Sequence, residues 1–420
     1  MGGAGRDPTQ NFGRTAMVTT ADQNLVRKFN KAVVINYLRH NSPLSRAELA
    51  ARTGLDRSTI SSIINELLDG RLVQETTLQS TRVGRPGMQL ELNPAGGFAI
   101  GIAVGVDFIA TVVTDFVANV LWRQRIQSGP ADRQKITLEQ AFAMTRLALG
   151  EGQSHHLRPL GIGLGVPGMV DLGQGELKFA PNLGWRDLPL RQQLVQQFNL
   201  PVFVENDARA SALGEYYFGV ARGINNFIYL FAGVGLGAGI MIEGKLLRGS
   251  RGYSSEVGHM IIDPNGEMCG CGKRGCWETL VGPRAVIHRF RRMLQRGVPS
   301  TVLHATEDEL TNITFEAIAD AAMRGDVAAL SAMQEVGANL GFGIANLVDI
   351  FNPQMVVLGG ALAYASEILL PEIHEVVASN VLSIHAEDLQ IAASAHGPDA
   401  CVMGAATLVL DDILHEPQFV

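Results

Sequence analysis

Between Gln23 and His40 the apolar positions Leu25, Phe29, Val33, Val34, Tyr37 and Leu38 recur at helical spacing, which predicts a first helix. The pattern breaks at Asn41-Ser42-Pro43. Ser45 with Glu48 three residues on forms a capping box that opens a short helix running through Arg52. Gly54 makes the turn. Asp56 caps a longer helix from Arg57 to about Asp69, whose inward face is Ile60, Ile63, Ile64, Leu67 and Leu68. A short helix, a glycine turn and a longer helix are the helix-turn-helix pattern. The alternating segments that begin at Leu72 and Met88 predict two strands of a β-wing, so residues 22–93 are expected to form a winged helix. Residues 1–21 have no periodicity and are expected to be disordered.

From Gly96 onward apolar strands alternate with helical stretches. Strands are predicted at 98–104, 109–115, 160–166, 202–204, 227–231 and 355–359. Helices are predicted at 137–150, 188–198, 207–218, 283–295, 314–324, 327–349 and 366–378. The alternation predicts α/β layers. The apolar run from Gly97 to Val113 is interrupted by Asp107 and reads as two strands and a turn, not a membrane span. The glycine run Gly233 to Gly239 follows a strand and leads to another strand-like segment at Ile240. A dinucleotide-binding turn would lead into a helix; a strand–glycine turn–strand hairpin is how actin-like sugar kinases hold phosphates.

Composition adds a split. The chain has 46% hydrophobic and 18% charged residues, which excludes a disordered protein. Its net charge of −7 argues against nucleic acid, but residues 1–93 carry 12 basic and 8 acidic groups while the remainder carries 22 and 33. A basic head on an acidic body points to DNA. The expected DNA face comprises Arg46, Arg57, Ser58, Thr59, Ser61 and Ser62, with Arg82 and Arg85 in a Gly/Pro-flanked segment suited to a minor groove. The N-terminus lacks a signal pattern, so a cytoplasmic protein with no membrane partner is expected.

Three of the four cysteines, Cys269, Cys271 and Cys276, follow His259 closely. Three thiolates and one imidazole are the ligand set of a closed tetrahedral zinc site. The lone Cys401 reads as a core residue. Glu256 and Glu278 flank the cluster. With Asn182, Asn206, Asp207 and His259 they supply carboxylates and amides able to engage the hydroxyls of a sugar. Asn206 and Asp207 also suit a simple helix cap.

These residues carry a resemblance. Gly165-Val-Pro-Gly168, Glu205-Asn-Asp-Ala208, Glu256-Val-Gly-His259 and the run from Cys269 to Glu278 resemble the ROK family of repressors and sugar kinases, and the head resembles that of its regulators. The resemblance implies a two-lobed, actin-like/RNase H-like sugar-kinase fold behind the winged helix. A smaller lobe would span 94–213 plus the helix 400–414. A larger lobe, 214–399, would carry the zinc and an oligomerisation surface. It implies one structural Zn2+ per chain on His259, Cys269, Cys271 and Cys276, and a monosaccharide held by Asn182, Asn206, Asp207, Glu256, His259 and Glu278. The partners implied are operator DNA, a sugar effector and a second or further copies in a homodimer or homotetramer. The phosphate side departs from the kinase pattern: Ala103 replaces an acidic residue, Val106 and Asp107 replace Gly and Thr, and Val234 replaces Thr. These losses favour a repressor that binds sugar without phosphorylating it. The alternative is an ATP-dependent sugar kinase with an accessory head and Asp207 as base; a further reading makes a protein partner the regulator.

Overall fold

The computed structural model describes residues 23–77, 88–128, 134–305 and 310–415. The head contains α1 (Gln23–Asn41), α2 (Arg46–Thr53) and α3 (Arg57–Asp69). Both halves of the capping box form: Glu48 N donates to Ser45 Oγ at 3.2 Å, and Ser45 N to Glu48 Oε2 at 2.8 Å. Gly54 ends α2 in the left-handed conformation, φ 72°, and Asp56 caps α3 by accepting from Thr59 N at 2.8 Å. Ile60, Ile63, Ile64 and Leu67 are buried as predicted, whereas Leu68 is only half-buried at the rim. The strands β1 (Val73–Thr77) and β2 (Met88–Leu92) pair antiparallel with Val73 opposite Leu92. The expected tail 1–21 and the wing arginines Arg82 and Arg85 lie outside the described residues.

The body begins with β3 (Phe98–Val104), β4 (Phe108–Asp115), β5 (Val120–Gln127), α4 (Gln134–Ser154) and β6 (Pro159–Val166). A small antiparallel sheet follows: β7 (Met169–Asp171), β8 (Glu176–Ala180) and β9 (Trp185–Leu188). Then come α5 (Leu190–Phe198), β10 (Val202–Asn206) and α6 (Asp207–Phe218). The second part holds β11 (Phe227–Ala232), β12 (Leu236–Ile242), β13 (Lys245–Leu246), α7 (Glu278–Val281), α8 (Pro283–Gln295), α9 (Val302–Ala305), α10 (Phe315–Met323) and α11 (Val327–Phe351). It closes with β14 (Met355–Gly360), α12 (Ala361–Tyr364), α13 (Ser366–Asn380), α14 (Ser383–Ala386), β15 (Gln390–Ala393) and α15 (Ala400–His415).

The two five-stranded sheets repeat one plan. Their orders are β10-β6-β3-β4-β5 and β13-β12-β11-β14-β15. In each, three antiparallel strands precede two that join in parallel. This is the two-lobed α/β architecture expected. Between the sheets lie α6 and α15, in close contact. Glycines let them press in. A Cβ on Gly101 of β3 would lie 2.2 Å from Val402 O, and one on Gly163 of β6 would lie 1.8 Å from Ala405 O. The helices themselves touch where Gly214 meets Gly404.

One expectation needs correction. The run from Gly233 to Gly239 is not a single turn, because β12 begins at Leu236. Gly239 sits in the strand where a Cβ would be 2.4 Å from Ala212 Cβ in α6, so packing requires it and not phosphate binding. Only Gly233-Val234-Gly235 remains as the hairpin turn.

A continuous buried cluster runs from Ile35, Leu38 and Ile63 in the head through Leu410 and Leu414 of α15 to Tyr217 of α6. Among the described residues no helix is long and apolar enough to cross a membrane.

Candidate functional site

The strand-to-helix junction β10–α6 places the first group. Asn206 is the N-cap of α6, its Oδ1 accepting from Ala208 N at 3.1 Å and Arg209 N at 3.2 Å. Its Nδ2 donates to Gly168 O at 3.2 Å and to Asp207 Oδ1 at 3.0 Å. The capping reading is therefore correct for Asn206; Asp207 Oδ1 accepts from Asn206 Nδ2 and from Ala208 N at 2.9 Å, and Oδ2 takes no part in these contacts. Burial raises the Asp207 pKa to about 6; the Ala208 N–H opposes the rise and the Glu256 charge adds to it.

The second group comes from the loop after β13. Ser255 holds a left-handed φ of 70° immediately before Glu256, a strained conformation of the kind found at ligand sites. Burial raises the Glu256 pKa; His259 and Arg209 oppose the rise and the Glu278 charge adds to it. His259 Nδ1 lies 3.4 Å from Glu278 Oε1. Glu278 Oε1 also accepts from the Cys269 thiol at 2.9 Å. Asp207, Glu256, His259 and Glu278 thus form one connected set with Asn206 at its edge. Asn182 stands apart, exposed on the β8–β9 turn. That sheet still adjoins the site, since Gly168, which receives the Asn206 amide, packs on Phe179 and Ala180. Trp185 and Trp277 are buried packing residues, with Trp277 Nε1 donating to Asn339 O at 2.9 Å.

The metal ligands converge. The ligand atoms of His259, Cys269, Cys271 and Cys276 all lie within 4.8 Å of one another. Cys271 Sγ and Cys276 Sγ are 3.6 Å apart, as are Cys269 Sγ and His259 Nδ1. Tetrahedral zinc with sulfur ligands requires about 3.8 Å between sulfurs, so the set fits this ion. Burial pushes the Cys269 and Cys276 thiols up, and a divalent cation offsets that cost by binding the thiolates. With Nδ1 3.6 Å from Cys269 Sγ, Nε2 is the ring nitrogen that metal binding through Nδ1 would leave for another partner. Zinc here would supply no catalysis, only a fixed loop between Glu256 and Glu278. Cys401 is buried and remote from this cluster in sequence.

One network went unread in the sequence. Glu205 and Arg209 form a fully buried ion pair at 2.7 Å. The same Glu205 carboxylate meets Arg248 at 3.4 Å, and Arg209 Nη1 donates to Ser254 O at 3.5 Å. It ties β10 and α6 to the loop carrying Glu256. The four-residue spacing of Glu205 and Arg209 was the available signal, hidden because it spans a strand end and a helix start.

On the phosphate side, Gly235 faces Glu278: a Cβ there would lie 2.3 Å from Glu278 Oε2. The first turn is filled, since a Cβ on Gly105 would lie 2.2 Å from the Phe108 ring, and Arg125 stacks on that ring at 3.6 Å.

In the head, Arg57, Ser58 and Ser62 are exposed on α3, while Thr59 and Ser61 are half-buried. Several are already engaged. Ser58 and Thr59 donate to Asp56 at 2.5 and 2.6 Å, holding that carboxyl well below its ordinary range. Ser61 donates to Arg57 O at 2.8 Å, Ser62 accepts from Arg27 at 2.9 Å, and Arg46 reaches Asn65 at 3.0 Å and Glu75 at 3.1 Å.

The ROK family model matches residues 99–412, and the MarR family model matches residues 28–82. The chain belongs to the ROK family. It is 33% identical over 398 residues to a xylose repressor of Caldicellulosiruptor bescii, covering 95% of this chain and 99% of the relative. It is 29% identical over 372 residues to an N-acetylglucosamine repressor of Escherichia coli O6:H1, covering 88% and 90%. Among solved structures, a ROK family transcriptional regulator homologous to the E. coli MLC protein aligns with TM-score 0.81 at 30% identity over 93% of this chain and 97% of that one. A ROK glucokinase from Streptomyces griseus, solved with glucose and AMPPNP, aligns with TM-score 0.66 at 30% identity over 74% and 99%. The glucokinase alignment spans about the length of the body; the regulator alignment spans nearly the whole chain.

Proposed function

We propose that this protein is a sugar-responsive transcriptional repressor that binds operator DNA through its winged helix and a monosaccharide through its body, without phosphorylating the sugar. One observation carries the reading. A winged helix is docked onto a body that carries Asp207, Glu256, His259 and Glu278 in mutual electrostatic range, while the turns expected to hold phosphate have Ala103 in place of an acidic residue, Val106 and Asp107 in place of Gly and Thr, and Val234 in place of Thr. Phosphoryl transfer depends on positioned donors and Mg2+ at those turns.

The sugar contacts are Asp207, Glu256, His259 and Glu278, with Asn206 and Asn182 at the margin. One Zn2+ on His259, Cys269, Cys271 and Cys276 braces them. Arg57, Ser58 and Ser62 of α3 contact DNA, joined by Arg46, Thr59 and Ser61 where their internal bonds exchange, and by Arg82 and Arg85 from the wing. The protein acts in the cytoplasm as a homodimer or homotetramer, because helix-turn-helix proteins commonly read paired half-sites. The domain limits are 22–93, 94–213 with 400–414, and 214–399. Relatives named xylose repressors make D-xylose the first sugar to test.

A thermal-shift screen of D-xylose, D-glucose and N-acetylglucosamine tests the sugar, since a specific ligand raises apparent stability by mass action. A rise with one of them and none with the others is expected, and no rise with any common monosaccharide overturns the reading. The kinase alternative retains one supporting observation, an Asp207 pKa of about 6 suited to a general base. A coupled assay with ATP decides it: turnover above background with any of these sugars makes the protein a kinase.

A further inference from the structure

The last turn of α1 enters a niche made by the C-terminal ends of α6 and α15. Arg39 is only 6% exposed there. Its guanidinium lies over the Tyr217 ring at 4.0 Å and near the Tyr216 ring at 5.6 Å. Beneath it the Tyr217 hydroxyl donates to Asp411 of α15. Arg39 Nε and Nη1 are buried without a hydrogen-bond partner. The surrounding backbone is pinned: Arg222 Nη2 donates to Arg39 O at 2.7 Å, and Asn36 Nδ2 to Leu414 O at 2.9 Å. A second fixed point lies across the head, where Arg158 donates to Gly70 O at the end of α3 at 3.2 Å and to Gly96 O at 3.1 Å.

A buried guanidinium normally finds a carboxylate, because unpaired donors away from water are costly. Here Arg39 Nη2 meets His40 Nε2 at 2.5 Å, while the nearby carboxylate, Asp411, is shared between the Tyr217 hydroxyl and His415 Nδ1 at 3.1 Å. The three side chains therefore admit two discrete arrangements. In the one observed, Asp411 holds the tyrosine hydroxyl and Arg39 rests on the ring face. In the other, Arg39 pairs with Asp411 and Tyr217 is released. A packed contact with two arrangements is what converts a small shift into a switch.

The element that would choose between them is α6. Its first residues, Asp207 and the cap Asn206, belong to the effector site, and its last turn carries Tyr216 and Tyr217. Twelve helical residues span about 18 Å. Its middle is closely packed at Gly214–Gly404 and Ala212–Gly239, and a rigid, packed helix is the kind of element that carries coupling between sites. We propose that α6 acts as a rod between the sugar pocket and the DNA-binding head, and that the Arg39–Tyr217–Asp411 joint is the contact it switches. This rests on the sugar reading of the pocket.

The test uses the full-length protein and the variants Tyr217→Phe, Asp411→Asn and Arg39→Gln. Operator affinity is measured without and with saturating D-xylose, D-glucose or N-acetylglucosamine, and sugar affinity by calorimetry. Tyr217→Phe and Asp411→Asn should bind sugar within about twofold of wild type, while the ratio of operator affinities with and without sugar changes at least about fivefold, the lower end of ordinary allosteric couplings. An unchanged ratio in all three variants overturns the joint. A second arm needs no sugar. In Arg39→Gln, amide exchange in the last turn of α1 should accelerate while that of α3 stays fixed, and sugar-free operator affinity should change. If the wild type responds to none of the sugars, the pocket reading fails and this arm alone decides the joint: unchanged exchange and operator affinity in Arg39→Gln overturn it.

Discussion

The two sides of the body's cleft are built on sheets of one plan, yet their side chains differ in what they can still bind. On the side proposed to hold sugar hydroxyls, Asp207, Glu256, His259 and Glu278 lie in mutual electrostatic range, beside the buried Glu205–Arg209 pair and the His259–cysteine cluster. On the side where a kinase would be expected to hold phosphate, the first turn is packed by Phe108 under Arg125, and the second offers Val234. In the proposed function, the contrast separates recognition from transfer within one fold. Binding a sugar needs acceptors and donors for hydroxyls; moving a phosphoryl group needs charge stabilisation at a different place.

The comparison can be broken first at the metal. Cys269→Ser or Cys276→Ser should drop zinc content below one per chain, with metal affinity falling by more than about 100-fold, since even indirect partners of a metal cost about 10–100-fold. Sugar binding should fall with it. Full metal content by elemental analysis in both variants would remove the cluster from the argument. Next is the asymmetry of the two arginines. Arg209→Ala strands Glu205 in the interior and should cost about 3–5 kcal/mol in denaturant unfolding, whereas Arg125→Ala, exposed on Phe108, should cost about 0.5–1 kcal/mol. Equal losses would mean that the two sides are equally supported.

Within the pocket, Asp207→Asn should weaken sugar binding by about 1.5–3 kcal/mol, the worth of a hydrogen bond to a charged acceptor. Calorimetry showing unchanged affinity would take Asp207 out of the site. The smallest effect comes from pH. The Asp207 pKa is raised from 3.8 to about 6, so the folded protein favours the protonated acid, and stability from this group declines as pH rises from 3.8 through 6. Sugar binding runs the opposite way. It requires the carboxylate, and affinity should fall by at most about tenfold per unit as pH drops below 6. A flat affinity profile from pH 7 to 5 would show that the sugar does not use this carboxylate as an acceptor.

Much of this was legible because local chemistry and tertiary role agreed. The Ser45/Glu48 box, the Gly54 turn and the Asp56 cap fix the head from neighbours a few residues apart. The cysteine run announces a metal by spacing alone. What escaped was set by distant partners. β5 alternates poorly, with Arg123, Gln124 and Arg125 exposed, because it is an edge strand with little to bury. β15 is a four-residue edge strand, and β7–β9 are short strands outside the main sheets. Gly237 and Gly239 read as a loop because the reason for their missing side chains is α6, far away in sequence. The Glu205–Arg209 pair escaped for a different reason: its four-residue spacing spans a strand end and a helix start, and burial is what gives it weight.

The helix α15 has a consequence for how the protein is made. It supplies Asp411 and Leu414 to the niche that receives α1, and it fills the face of the first sheet over Gly101 and Gly163. The head is synthesised well before α15, its docking partner. Until residues 400–415 emerge, the head lacks the α15 residues of its own buried cluster and the first sheet stays uncovered over Gly101 and Gly163. A chain cut short before residue 400 would keep the helices of the head without the seat that joins them to the body.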